Sequence, residues 1–328
     1  MTLNRIFQFV AVVFATLALA TPVFAANTGR IFVSNEKSHE IVVLNAEFEI
    51  EARIETSRRP RDMHFNADRT LLYVACGDDD IIDVIDVDTL EIVDSIPTGP
   101  SPEVFAFSPD ESLIYVSNEE DSMLEVIERE TGIAVHNIPT GAEPEGVLLM
   151  PDGKIGFVTS EVADMVHVVD TEAGAIVKNI LVGTRPRRFA LTPDQSELWL
   201  SAELSSEIYI IDTQTFEVTD VLEFLPPGFR PEDVTPVGLT VTSDGSKMLI
   251  SLGRANHIAI VDTQSRETIS YVLVGRRAWS VALTHDEKVA IVVNGLSDDI
   301  TLVDMESMRP IRSIPVGRVP HTVLVDDH

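Results

Sequence analysis

Cysteine is nearly absent: Cys76 is the only one in 328 residues, so no intramolecular disulfide can form. The same scarcity excludes a C-x-x-C-H haem attachment and a cysteine-rich zinc site. Stability must come from a buried core, which a chain of this length builds easily. Tryptophan is scarce too, with only Trp199 and Trp279. There is no P-loop, and no G-x-G-x-x-G opens a helix. Positive charge is short as well. The 24 Lys and Arg, mostly Arg, face 53 Asp and Glu, for a formal net charge of -29. Such a surface repels nucleic acid and anionic lipid. It serves solubility, including in a salty habitat, or it docks a basic partner.

Long apolar runs are missing after the first 25 residues. Within those, Arg5 precedes an apolar stretch at 6–20, and Val23-Phe24-Ala25 stands where a leader peptidase would cut. This pattern predicts a signal peptide over 1–25, removed after Ala25, and a mature chain 26–328 with no membrane span. The leader implies export of the mature chain.

What is present is repetition. The stretch IYIIDTQTFE at 208–217 carries an acidic turn residue, Asp212, matched at Asn45, Asp86, Glu128, Asp170, Asp262 and Asp304. The steps between them are 41, 42, 42, 42, 50 and 42 residues. A second marker keeps phase: Ala67-Asp68, Pro109-Asp110, Pro151-Asp152, Pro193-Asp194, Ser243-Asp244, His285-Asp286 and Asp326-Asp327. Each unit reads as four short strands rich in Val, Ile, Phe and Tyr. The period and strand count predict an all-β, seven-bladed β-propeller of four-stranded blades over 26–328. The chain enters at the second strand of a unit, at Ile31, and returns to a first strand at 321–325. The last strand should therefore join the first three and close the ring, which removes the exposed sheet edge. The Pro-Asp and Asp-Thr markers are turn chemistry and receive no catalytic role.

The units resemble the YVTN β-propeller repeat, seen as YVSN at 115–118, VIDVDT at 84–89 and FSPDES at 107–112. Details that differ between blades resemble one branch, the propellers associated with PQQ-dependent alcohol catabolism. They include SRRPRDMHF at 57–65, AEPEGV at 142–147, PEDVTPVGLTVT at 231–242 and VGRRAWSVAL at 274–283. That resemblance implies a periplasmic protein working near quinoprotein dehydrogenases and transport components, without an established reaction. The chain does not resemble a quinoprotein dehydrogenase itself, since its acidic turns lack the following Trp of those larger, eight-bladed propellers.

The Pro-led strands should be innermost. The residues after the Pro position then ring the channel mouth: Arg61, Glu103, Glu145, Arg187, Val237, Trp279 and His321. Just before it lie Arg59, Ser101, Glu143, Arg185, Thr235, Arg277 and Val319. Three readings of this ring stand. It is a structural ring of paired charges. Or it is a recognition mouth, with Arg61, Arg187 and Arg277 forking onto a carboxylate and Trp279 as stacking anchor. Or Glu103, Glu145 and His321 form a metal or hydrolytic site. The eight extra residues of the long step fall at 224–235 in an irregular surface loop, where Phe229 and Arg230 are further binding candidates. No residue is assigned as catalytic or as a metal ligand. PQQ is conceivable as an anionic ligand of the arginines, but no motif is specific to it, and no cofactor is assigned. The leading expectation is a binding or scaffold protein whose partner is a PQQ-dependent dehydrogenase or transport component. The alternative is a lactonase-type hydrolase with its site at the channel mouth.

Overall fold

The computed structural model describes residues 28–326. The leader expected over 1–25 and the final marker residue Asp327 lie outside them. Within the described residues, twenty-eight strands, β1–β28 in chain order, form seven four-stranded antiparallel sheets. A typical blade is β4 (Pro60–Phe65), β5 (Leu71–Cys76), β6 (Ile81–Asp86) and β7 (Ile92–Pro97), paired in that order. The first blade differs in origin: β28 (Pro320–Asp326) pairs with β1 (Arg30–Asn35), followed by β2 (Glu40–Leu44) and β3 (Ile50–Glu55). Phe32 lies opposite Leu324 and Val33 opposite Val323, so the ring is closed by strands from both ends of the chain.

The Pro-led strands are innermost. These are β4, β8 (Pro102–Phe107), β12 (Pro144–Leu149), β16 (Pro186–Leu191), β20 (Leu239–Val241), β24 (Ala278–Leu283) and β28. Each contacts its counterpart in the next blade around the whole circle. The middle strands are apolar on both faces because both are covered by neighbouring blades. Phe32, Met63, Leu72, Val74 and Ile85 form one such interblade layer. Each of these side chains contributes about 1.5–3 kcal/mol by leaving water. The outermost strands are exposed and keep one apolar anchor: Ile54, Ile96, Ile138, Ile180 and Val272 hold that place in five blades.

The turn markers work as the sequence suggests. The Asp212 carboxylate accepts from the Gln214 and Thr215 backbone N–H groups at 3.0 and 2.7 Å, and the Asp262 carboxylate does the same with Gln264 and Ser265. The long blade corrects one expectation. Its extra segment is not wholly a surface loop, since Phe224, Pro226 and Val234 are buried and a 3-10 turn spans Pro231–Asp233. The following inner strand, β20, keeps only three paired residues, and the segment around Val234–Val237 stands in for its start. Among the described residues no helix is long and apolar enough to cross a membrane.

Candidate functional site at the channel mouth

Two features of the repeat bring side chains to the mouth. The residue before the Pro position takes a left-handed backbone in six of the seven blades: Arg59, Ser101, Glu143, Arg185, Arg277 and Val319 have φ between 54° and 62°. Such angles cost a non-glycine residue of order 1 kcal/mol and persist only where neighbours fix them. Here they do. The carbonyls of Arg59, Arg185 and Arg277 accept from the backbone N–H of Gly77, Glu203 and Gly295 at 3.0, 2.9 and 2.9 Å. The N–H groups of Arg185 and Arg277 donate to Asp164 and Asn256 in the preceding turn of the fold, at 3.0 and 2.9 Å. The second feature is the Ser or Thr of the second strand, the S of YVSN. Ser117 Oγ donates to the carbonyl of Glu145 in the next blade at 2.6 Å; Ser34 does so to Arg61 at 2.8 Å and Ser251 to Trp279 at 2.7 Å. The repeat motif thus pins the backbone of the very residues that ring the channel.

Those residues form a buried ionic network. Arg61, Glu103, Glu145, Arg187 and His321 are each at most 6% exposed. Arg59 reaches Glu103 at 2.9 Å and Glu36 at 3.3 Å. Arg61 pairs with Glu103 and lies 3.8 Å from Glu145. Glu145 also meets Arg187 at 3.3 Å and Arg188 at 2.9 Å. Arg187 pairs with Glu161 and, at 3.3 Å, with Glu203; Arg277 holds Glu203 at 2.8 Å.

The carboxyls are driven apart in acidity. Burial pushes Glu103 well above the usual range, and the charge of Glu145 adds to that rise against the pull of Arg61 and Arg59. Burial would raise Glu145 too, but Arg187, Arg188, Arg61 and Arg185 outweigh it and hold its carboxyl down at about 2. His321 is neutral: burial lowers its pKa well below the ordinary value, and the facing arginines Arg61, Arg188 and Arg187 lower it further. Its Nε2 accepts from Arg61 Nε at 3.2 Å. That bond makes His321 a poor metal ligand. Among the described residues no three His, Cys, Asp or Glu side chains group as a metal site.

The charge ring is interrupted where Val237, Trp279 and His321 occupy it. There a cavity of about 240 Å³ opens at the mouth, lined by Trp279, His321, Val319, Pro320 and Leu296, with Glu36 and Arg277 as its only charged groups. Trp279 lies under two guanidiniums, Arg277 at 4.8 Å and Arg187 at 5.0 Å from the ring centre, and its ring is 5.5 Å from that of His321. The insertion candidates lie outside the lining of this slot. Phe229 packs edge-on against His257 at 5.4 Å, and exposed Arg230 pairs with Asp233 at 3.0 Å and Glu232 at 3.1 Å.

Reasoning from sequence missed Glu36, Glu119, Glu161, Glu203 and Arg188. The first four share one repeat position, directly after the second strand, in NEK, NEE, SEV and AEL. That phase was available as a signal.

Fold and mouth together define a closed seven-bladed propeller with a small slot beside a buried ion network. The chain belongs to the family described as "Lactonase, 7-bladed beta-propeller", whose model matches residues 22–134 and 147–311. Similar solved structures include a periplasmic gluconolactonase of Pseudomonas aeruginosa, at 18% identity and TM-score 0.77 over 90% of this chain and 98% of that one. A putative 6-phosphogluconolactonase of Bacteroides uniformis matches at 15% identity and TM-score 0.74, over 90% and 98%. Kuenenia stuttgartiensis hydrazine synthase matches at 19% and 0.75, over 91% and 99%. At these identities the likeness is one of fold. No curated protein matches the chain in sequence.

Proposed function

We propose that the slot at the mouth binds and hydrolyses a small lactone. The observation that carries this is the slot itself: an apolar cleft of about 240 Å³ whose only charged lining groups are Glu36 and Arg277. That volume lies below the roughly 300–1,000 Å³ of drug-sized sites and suits a five- or six-membered ring. Trp279 offers the ring a flat face. Arg277 is placed to polarise the lactone carbonyl and receive the charge that develops on its oxygen. Glu36 takes the proton from the attacking water. The new bond joins the water oxygen to the carbonyl carbon, the ring C–O bond breaks, and the departing alkoxide is protonated. The product is a hydroxy acid, released as a carboxylate. Membership of the lactonase family supports the reading.

The test is acid release from a panel of aldonolactones, followed at constant pH. Removing a general base costs about 10²–10⁴-fold. Glu36→Gln is therefore expected to lower kcat by at least about a hundredfold, and Arg277→Met by a similar factor. Trp279→Ala should act chiefly on KM. Full rates in Glu36→Gln, or no lactone opened faster than in buffer, would sink the proposal.

A second reading, binding without turnover, is favoured by one fact. Every buried carboxylate of the network sits against an arginine, and Glu36 itself lies 3.3 Å from Arg59. Saturable quenching of Trp279 by a lactone without acid release would support it. The periplasmic location and an accessory role beside a PQQ-dependent dehydrogenase rest on the repeat resemblance alone. Recovery of such a partner from periplasm is their test.

A further inference from the structure

The register shifts that open six of the seven inner strands have a consequence below the mouth. Pairing slips between Pro60 and Met63, between Pro186 and Phe189, and between Ala278 and Val281. Such bulges let two consecutive residues serve the same face of a strand. A second tier therefore lies under the first: Asp62 beneath Arg61, Arg188 beneath Arg187, Ser280 beneath Trp279 and Thr322 beneath His321. These residues, with Trp279 and His321, line a chamber of about 130 Å³ inside the channel. It shares Asp62 and Arg188 with a larger cavity of about 340 Å³.

The chamber's polar groups are unevenly used. Asp62 is engaged by His64 at 2.9 Å and by the Phe105 N–H at 3.2 Å. Thr322 Oγ1 is 3.0 Å from His321 Nδ1. By contrast, Arg188 Nη1, Trp279 Nε1 and Ser280 Oγ are buried without a hydrogen-bond partner, while Arg188 Nη2 faces Glu145. All three can donate, and the arginine and indole nitrogens can only donate. Native proteins leave few such groups unanswered, because each forfeits the hydrogen bonds that water made to it. Charge points the same way. Among the described residues Arg188 makes one ion pair, with Glu145 at 2.9 Å, a carboxylate shared with Arg187 and Arg61; Asp62 adds a second, longer-range negative charge. His321, neutral chiefly because it is buried, is kept further from protonation by the same arginines.

We propose that this chamber is a binding site for a small oxyanion, held by the Arg188 guanidinium with Trp279 Nε1 and Ser280 Oγ as further donors. A tetrahedral phosphate or sulfate and the planar carboxylate of a small acid share this chemistry. The site lies beneath Trp279 and His321, which it shares with the slot as a common wall, and does not depend on lactone turnover.

The two tryptophans make it measurable. Trp199 is fully buried in another blade layer, so a ligand-dependent change in emission belongs to Trp279. The purified protein is titrated with sodium phosphate and, separately, sodium acetate, against sodium chloride at constant ionic strength. The expected result is a saturable emission change and a matching rise in Tm with at least one oxyanion and none with chloride. Which oxyanion responds tells tetrahedral from planar. Trp279→Phe should lose the optical signal. Arg188→Met should weaken binding at least about tenfold, and Ser280→Ala, the milder variant, about fivefold. Equal affinity in Arg188→Met, or in Ser280→Ala should the arginine variant not fold, overturns the proposal. So does a parent protein without a saturable response, which would mean that water alone fills the chamber. Lactone assays are not read in this experiment, so its failure is separate from failure of the hydrolase reading.

Discussion

Glu103 and Glu145 occupy the same position in adjacent blades and are set to opposite ends of carboxyl behaviour. Glu145 has Arg187, Arg188 and Arg61 around it. Its folded pKa, about 2, is depressed below the ordinary 4.5. Its contribution to stability is therefore complete above about pH 4.5 and is lost as pH falls through about 2. Glu103 is raised, so the folded protein keeps a proton that the unfolded chain gives up, and its contribution declines as pH rises past 4.5. The two glutamine variants should differ accordingly. Glu145→Gln leaves three arginines short of a charge and is expected to cost about 3–5 kcal/mol at pH 7 in urea unfolding. Glu103→Gln removes a carboxyl whose pKa burial already raises, leaves Glu36 to Arg59 and Glu145 to Arg61, and should cost less than Glu145→Gln. The gap between parent and Glu145→Gln should close as the pH is lowered towards 2. Equal losses in both variants at pH 7 would show that the two carboxyls are alike.

At the scale of elements, the strands were legible because their periodicity is set by burial. A run such as LLYVAC at Leu71–Cys76 is apolar on both faces and is covered on both. The upper tier was legible for the same reason: the position after each Pro varies while the scaffold around it repeats. The lower tier was not, because period-two alternation assigns Arg187 and Arg188 to opposite faces, and only the bulge after Pro186 brings both to the channel. Glu161 and Glu203 were hidden because they follow a strand and read as turn residues. The insertion misled for another reason. Prolines and glycine signal irregular backbone correctly, but do not tell whether its side chains turn inward. Phe229 is partly buried against Ile208, Leu252 and their neighbours. Phe229→Ala is expected to cost about 2 kcal/mol, half of a full core truncation or a little more. Arg230→Ala, on an exposed ion pair, should cost less than about 0.5 kcal/mol. Thermal unfolding of the two variants side by side checks the pair. A larger loss for Arg230 would show that its ion pairs, rather than the packing of Phe229, hold the loop.

For the whole molecule, closure has a clasp at its rim. Asp326, fully buried, accepts from Thr28 Oγ1 at 2.5 Å and from Arg69 Nη1 at 2.8 Å, tying the last strand to the entry of the first and to the second blade. Asp326→Ala strands the Arg69 charge and opens the seam, and should cost about 3 kcal/mol or more. Urea unfolding measures it. A loss under about 1 kcal/mol would show that strand pairing alone holds the ring.

The same seam fixes when the slot comes into being. Val319, Pro320 and His321 form one wall of it, Glu36 directly follows the strand they must pair with, and Arg277 and Trp279 come from the blade before. During synthesis every other blade can assemble while this wall is still unmade. A chain interrupted anywhere before β28 has neither a closed ring nor a slot. Ligand binding at the mouth is then a certificate of finished manufacture: only a molecule that has joined its two ends can do it.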